Sequence, residues 1–176
     1  MNFPTILTVF RMVLSILFFT FVLIPEDWGK IIALVIFILA AITDKIDGHL
    51  ARKNKEVTDL GTFLDPLADK MLVNLAFLAL VYLNIVPVWI FAIILVRDFA
   101  VDGLRMALAK KHKTLAASNL GKYKTTAQMV TLIILLANLI LKIEILTIVG
   151  NIFLCIAVIL TVLSAVDYFI KNKNKL

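Results

Sequence analysis

Six stretches of this chain are apolar enough, and long enough, to cross a bilayer as helices, and no other feature restricts its fold as severely. They are residues 5–24, 30–52, 62–84, 87–109, 124–141 and 145–170. About 20 residues at a rise of ~1.5 Å each span the hydrocarbon core. Lipid offers a backbone no hydrogen-bond partner, so a spanning segment must be a helix or part of a closed barrel. These runs are too long and alternate too little for strands. The expectation is all-α: an integral membrane bundle of six transmembrane helices, with residues 1–176 forming a single domain. Composition agrees, since 62% of residues are hydrophobic and 17% charged, where soluble domains run to about half and a quarter.

The cations orient such a bundle. If the helices alternate, one side gathers Arg52, Lys53, Lys55, Lys110, Lys111, Lys113, Lys122, Lys124, Lys171, Lys173 and Lys175, and the other only Lys30 and Lys142. By the positive-inside rule, both termini and the connections near 53–61 and 110–122 face the cytoplasm, as in a bacterial-type plasma membrane. The net charge of +6 then lies mostly against anionic headgroups. These lysines are explained by topology and lipid contact, so no nucleic-acid partner is expected. The first segment lacks a basic flank and a small-residue cleavage site and is interrupted by Arg11, so it reads as a retained helix. Cys155, the single cysteine, offers no disulfide framework.

Against this background four carboxylates stand out. Asp44 and Asp47 are three residues apart near the cytoplasmic end of the second segment, and Asp65 and Asp69 are four apart at the start of the third. Each spacing puts its pair on one helical face. Four anions in a partly dry site repel, and a cation must compensate. Lys45 and Lys70 adjoin the aspartates and point about 100° away on a helix. An all-oxygen carboxylate set suits hard divalent ions, magnesium, manganese or calcium, and lacks the His and Cys that zinc prefers. Two such ions could clamp a pyrophosphate and stabilise attacking and leaving oxygens in a displacement at phosphorus. Gly48, Ala51 and Gly61 keep the helix surfaces low beside the aspartates, and Arg52 offers a fork for phosphate oxygens. Pro66 either opens the third helix or kinks it.

Residues 44–69 have the form D-x2-D-G-x2-A-R-x8-G-x3-D-x3-D, filled by Asp44, Asp47, Gly48, Ala51, Arg52, Gly61, Asp65 and Asp69. This pattern resembles the signature of the CDP-alcohol phosphatidyltransferases, and the six-segment architecture is similar to theirs over the whole chain. The resemblance implies a homodimeric membrane enzyme that moves a phosphatidyl group from CDP-diacylglycerol to an alcohol and releases CMP. It implies two divalent cations, magnesium or manganese, on Asp44, Asp47, Asp65 and Asp69, with Asp69 also the general base. Gly48, Ala51, Arg52 and Gly61 would line the cytidine diphosphate site.

Outside the signature, residues 2–8 with Arg11, VRDFAVDGLR at 96–105 and GKYKTTAQM at 121–129 resemble the branch whose acceptor is glycerol 3-phosphate. That acceptor carries a phosphate dianion and needs fixed cations. Arg105, Lys122, Lys124 and Arg11 are the candidates, although positive-inside flanking explains the two lysines as well. Lys122 and Lys124 share a face only if the helix starts between them. Arg97, Asp98 and Asp102 lie within an apolar span, where charges are costly and face the protein interior or water. Ion pairing among them is the favoured expectation, and substrate contact the alternative. Inositol, inositol phosphate and serine remain alternative acceptors. A cation transporter is the distant alternative, disfavoured because the charges gather at one membrane face.

Overall fold

The computed structural model describes the backbone of residues 3–54, 59–110 and 119–172, and the side chains of residues 6–43, 64, 67, 68, 70–108 and 119–172. Six helices follow one another: α1 (Phe3–Val22), α2 (Asp27–Asn54), α3 (Asp59–Tyr82), α4 (Val88–Lys110), α5 (Asn119–Leu141) and α6 (Glu144–Asn172). No strand occurs among the described residues, so the all-α expectation holds. By length and composition α5 and α6 are able to cross a membrane. The apolar stretches Ile6–Val22 and Lys70–Tyr82 are shorter. Pro66 lies inside α3, which begins at Asp59, so it does not open the helix.

The breaks between helices have local causes. Beyond α3, Asn84 takes a left-handed φ of 58°. Its amide donates to the Val81 carbonyl at 3.0 Å, and that of Ile85 to Leu80 at 2.9 Å, the paired bonds of a Schellman cap. Pro87 then precedes α4, its fixed φ favouring a new helix and its missing amide removing one orphan donor. Beyond α5 the left-handed residue is Lys142, φ 54°, whose amide donates to Asn138 at 3.0 Å. A left-handed lysine costs on the order of 1 kcal/mol or more. Its side chain gains a partner in return, with Nζ 3.2 Å from Oδ2 of Asp27.

The chain divides into two compact units, Met1–Ile85 with Leu136–Lys142, and Val86–Leu135 with Ile143–Leu176. In the first, α1 packs on α2 and α3. Leu14, Phe18 and Val22 recur along α1 at intervals of four and are buried. Phe18 meets Phe37 of α2 at 5.5 Å between ring centroids, tilted by 53°. Ala33, Ala40, Ala76 and Ala79 are fully buried on α2 and α3. Small residues let helices approach, which matters in lipid because apolar burial by itself no longer favours association. Gly29 is a required close approach, since a Cβ there would sit 2.6 Å from Cβ of Ile24.

In the second unit α6 is built inside out. Gly150, Leu154, Ala157, Thr161, Ser164, Tyr168 and Asn172 form its buried face. Ile145, Ile148, Ile152, Ile156, Ile159, Val162, Leu163, Val166 and Ile170 are exposed. A helix with its hydroxyls inward and its isoleucines outward suits a lipid solvent, where small and polar residues pack and branched aliphatics face the acyl chains.

Candidate functional site

The signature lies on α2 and α3, two consecutive helices of the first unit. Asp44 and Asp47 are ten and seven residues before the end of α2, and Asp65 and Asp69 are six and ten after the start of α3. At 1.5 Å per residue these are depths of about 15, 10, 9 and 15 Å. Asp44 therefore matches Asp69 in depth along its helix, and Asp47 matches Asp65. The side chains of Asp44, Asp47, Asp65 and Asp69, and of Gly48, Ala51, Arg52 and Gly61, lie outside the described residues. Among the described residues no group of three or more His, Cys, Asp or Glu could hold a metal ion. The chemistry of the signature's donor set, four carboxylates and no nitrogen or sulfur, fits magnesium or manganese.

Arg11 is on α1 in the same unit and only 1% exposed. Thr8 and Ser15 share its helical face and are also buried, and the Ser15 hydroxyl donates to the Arg11 carbonyl at 2.8 Å. The guanidinium is thus an interior charge of the first unit, not a surface cation.

The second unit holds a network that spacing alone did not reveal. Asp98 of α4 is buried, and its Oδ1 accepts from Lys124 Nζ of α5 at 2.6 Å and from Arg97 Nη1 at 3.1 Å. Arg97 Nη2 donates to the Ser164 hydroxyl of α6 at 2.7 Å, and its guanidinium lies 5.7 Å from the ring centroid of Tyr168. Ser164 in turn donates to the Thr161 carbonyl at 3.0 Å, and Gln128 Nε2 donates to the Thr161 hydroxyl at 3.4 Å. Three helices are therefore joined around one carboxylate. Charges in a low dielectric survive only when paired and hydrogen-bonded, and this network supplies both conditions. Val101, Leu104, Leu108 and Tyr168 pack as an apolar cluster in the same unit.

The four candidates for an acceptor phosphate are distributed unevenly. Arg105 is exposed on α4 and Lys122 exposed on α5, while Lys124 is 5% exposed and engaged with Asp98. The helix begins at Asn119, before both lysines, so their separation of two positions turns their directions about 200° apart. The condition for a shared face is not met. Pairing of Arg97 with Asp98 was anticipated. The third member, Lys124, and the α6 contributors Ser164 and Tyr168 were not, although hydroxyls and a tyrosine at helical spacing in a long apolar segment were a usable signal.

The family profile of CDP-alcohol phosphatidyltransferase matches residues 1–163. The chain belongs to the CDP-alcohol phosphatidyltransferases. Similar phosphatidyltransferases extend along almost its full length. It is 39% identical to the CDP-diacylglycerol–glycerol-3-phosphate 3-phosphatidyltransferase of Bacillus subtilis (strain 168), covering 97% of this chain and 95% of that one. With the enzyme of the same name from Sodalis glossinidius the identity is 38%, over 100% and 97% of the two chains. With that of Salmonella typhimurium it is 42% over 74% of each. As a member of this family the chain is an enzyme of phosphatidyl transfer, and the family is generally dependent on divalent metal.

Proposed function

We propose that the protein transfers the phosphatidyl group of CDP-diacylglycerol to glycerol 3-phosphate, giving phosphatidylglycerophosphate and CMP. The observation that carries this reading is the complete eight-position signature within a chain alignable end to end with relatives named for that reaction. Two divalent cations, magnesium or manganese, would be held by Asp44, Asp47, Asp65 and Asp69 and would neutralise charge on the pyrophosphate. Asp69 takes the proton of the acceptor hydroxyl, whose oxygen forms a bond to the phosphatidyl phosphorus as the bond to the CMP oxygen breaks. Gly48, Ala51 and Gly61 leave room for the cytidine diphosphate, and Arg52 pairs with its phosphate oxygens. Arg105 and Lys122, both exposed, are suited to the phosphate dianion of the acceptor.

The same reading makes all six helices membrane spans, places both termini and the aspartates toward the cytoplasm, and treats residues 1–176 as one catalytic domain of a homodimer. Partition of the charges to one end of the apolar segments supports it. The deciding experiment supplies purified protein with CDP-diacylglycerol, detergent, magnesium or manganese, and a panel of glycerol 3-phosphate, inositol, inositol phosphate and serine. Phosphatidylglycerophosphate should be the main product. A higher kcat/KM with another alcohol would move the protein to a different branch, and absence of CMP release with every alcohol would refute the reaction.

A further inference from the structure

We infer that Arg11 is a positioning residue for the aspartate centre: from the interior of α1 its guanidinium pairs with Asp44 of α2 and holds that carboxylate in place for a divalent ion. The inference rests on the metal role proposed above for Asp44 and adds to it the group that orients the ligand.

The register of α1 against α2 carries it. Val22, Phe18, Ser15, Arg11 and Thr8 follow one another along α1 at alternating spacings of four and three, and none is more than 3% exposed. Such spacing keeps one seam of a helix toward its neighbour. On α2 the matching seam is Ala33, Phe37 and Ala40, all fully buried, and its next positions toward the C-terminus are Asp44 and Asp47. The two helices are consecutive, joined by the short segment 23–26, so they run antiparallel. Contact between the rings of Phe18 and Phe37 aligns them. Seven positions from Phe18 toward the start of α1 stands Arg11, and seven from Phe37 toward the end of α2 stands Asp44. Seven positions are two turns less about 20°, so both residues stay on the faces that bring the rings together, about 10 Å further along. Between them fall Ser15 and Ala40, small enough to let the helices stay close. The Asp44 side chain lies outside the described residues, and its place opposite Arg11 follows from this register.

Energetics select the same partner. A guanidinium shut away from water is stable only against an anion. The described acids of the first unit, Glu26 and Asp27, lie beyond Val22, which is about 16 Å from Arg11 along the axis of α1. Asp27 is moreover engaged by Lys30 and Lys142. Asp69 of α3 is at a similar depth, but the seam that Arg11 continues is the one facing α2. The pairing has a chemical use. A carboxylate offers about four lone-pair sites, so one edge given to a planar guanidinium leaves others for an ion. Held from a packed seam, Asp44 has its direction set before the ion arrives. Partners that orient a metal ligand in this way are worth about 10–100-fold in metal affinity or activity.

The test begins with chelated protein in detergent, where melting temperature reads the pair without any turnover. Asp44→Asn should be more destabilising in the wild-type background than in Arg11→Met, because residues in contact are energetically coupled. The coupling of Arg11→Met with Asp69→Asn should be smaller. Additive effects of Arg11→Met and Asp44→Asn, or a stronger coupling with Asp69→Asn, would overturn the pairing. Manganese alone is then titrated in, without substrate. The concentration that gives half of the thermal stabilisation should rise about 10–100-fold in Arg11→Met, while the KM for glycerol 3-phosphate stays within about twofold. An unchanged manganese concentration would make Arg11 a structural ion pair and overturn the positioning role. Arg11→Lys keeps the charge but loses the planar fork, and it covers the case in which Arg11→Met does not fold. It should raise the manganese concentration by about tenfold, the low end of the same range, and no rise would again overturn the role. Failure of the reaction reading looks different: the wild type would release no CMP with any alcohol, whatever the coupling between Arg11 and Asp44.

Discussion

The two units handle buried polarity in opposite ways. In the first, the described interior is close-packed alanine and phenylalanine around α1, with Arg11 as its deeply buried charged side chain. In the second, the interior is knit by a carboxylate with two cations and a chain of hydroxyls, while the isoleucines of α6 face outward. The difference teaches where each unit can bear change. A steric core fails when an atom is added, because packed helices have nowhere to move. A polar core fails when a partner is removed, because an unpaired group in a low dielectric has no water to return to.

The strongest test of that contrast is chemical. Asp44→Asn, Asp47→Asn, Asp65→Asn and Asp69→Asn should each cut CMP release by about 10² to 10⁴, the range typical of lost acid–base function. The variants should remain folded in detergent by circular dichroism. Near-normal turnover of purified Asp65→Asn or Asp69→Asn would remove the metal and base roles from the first unit. Exhaustive chelation should likewise stop turnover, and added magnesium or manganese should restore it.

Next in size is a steric test of the first unit. Gly29→Val brings its Cβ to within 2.6 Å of Ile24 Cβ and 2.9 Å of the Phe21 carbonyl oxygen, both part of the chain leaving α1. Overpacking of this kind costs about 1–3 kcal/mol, visible as a lowered melting temperature. Gly103→Ala is the control, since nothing lies within 4 Å of a Cβ there. Equal losses from the two would mean that the approach of α2 to α1 is not tight. A smaller effect is expected from Ser164→Ala in the second unit, which removes the acceptor of Arg97 Nη2. Hydrogen bonds between transmembrane helices average about 0.6 kcal/mol, and a charged donor raises the expectation to about 1.5 kcal/mol. No change in denaturant midpoint would mean that Arg97 is held adequately by Asp98 and Tyr168.

The smallest effect is electrostatic and lies at the exposed end of the first unit. Hydrogen bonds from Lys142, then from Lys30, hold the Asp27 carboxyl below its ordinary value of 3.8. A depressed folded-state value gives stability that is present above the unfolded value and lost as pH falls through the folded one. The wild type should therefore lose slightly more melting temperature than Asp27→Asn on acidification below about pH 4. Parallel curves would show that solvent screens the Asp27–Lys142 contact completely.

Several of these features were open to reading along the chain. Long apolar runs announce helices because a lipid solvent leaves the backbone few other choices, and the observed α1 to α6 follow the six runs to within a few residues at most ends. The largest discrepancy is at the start of α5, which begins at Asn119 where the apolar run begins at 124. Polar residues at a helix end carry no hydrophobic signal, so this boundary was invisible to pattern, and with it the opposed directions of Lys122 and Lys124. The spacing of Asp44 with Asp47 and of Asp65 with Asp69 was equally legible, since helical geometry converts three or four residues into a shared face. Arg97 with Asp98 was legible as a pairing because a charge within a span must be answered close by.

By itself, then, the sequence determined whatever depends on neighbours within a turn or two: the helical class, the signature and its chemistry, and the family they denote. Only tertiary structure decided which distant groups meet. Lys124 reaches Asp98 across 26 positions, Arg97 reaches Ser164 across 67, and Lys142 reaches Asp27 across 115. No periodicity encodes such pairs, because each is selected by how whole helices pack, and the packing in turn rests on the small residues that let them approach.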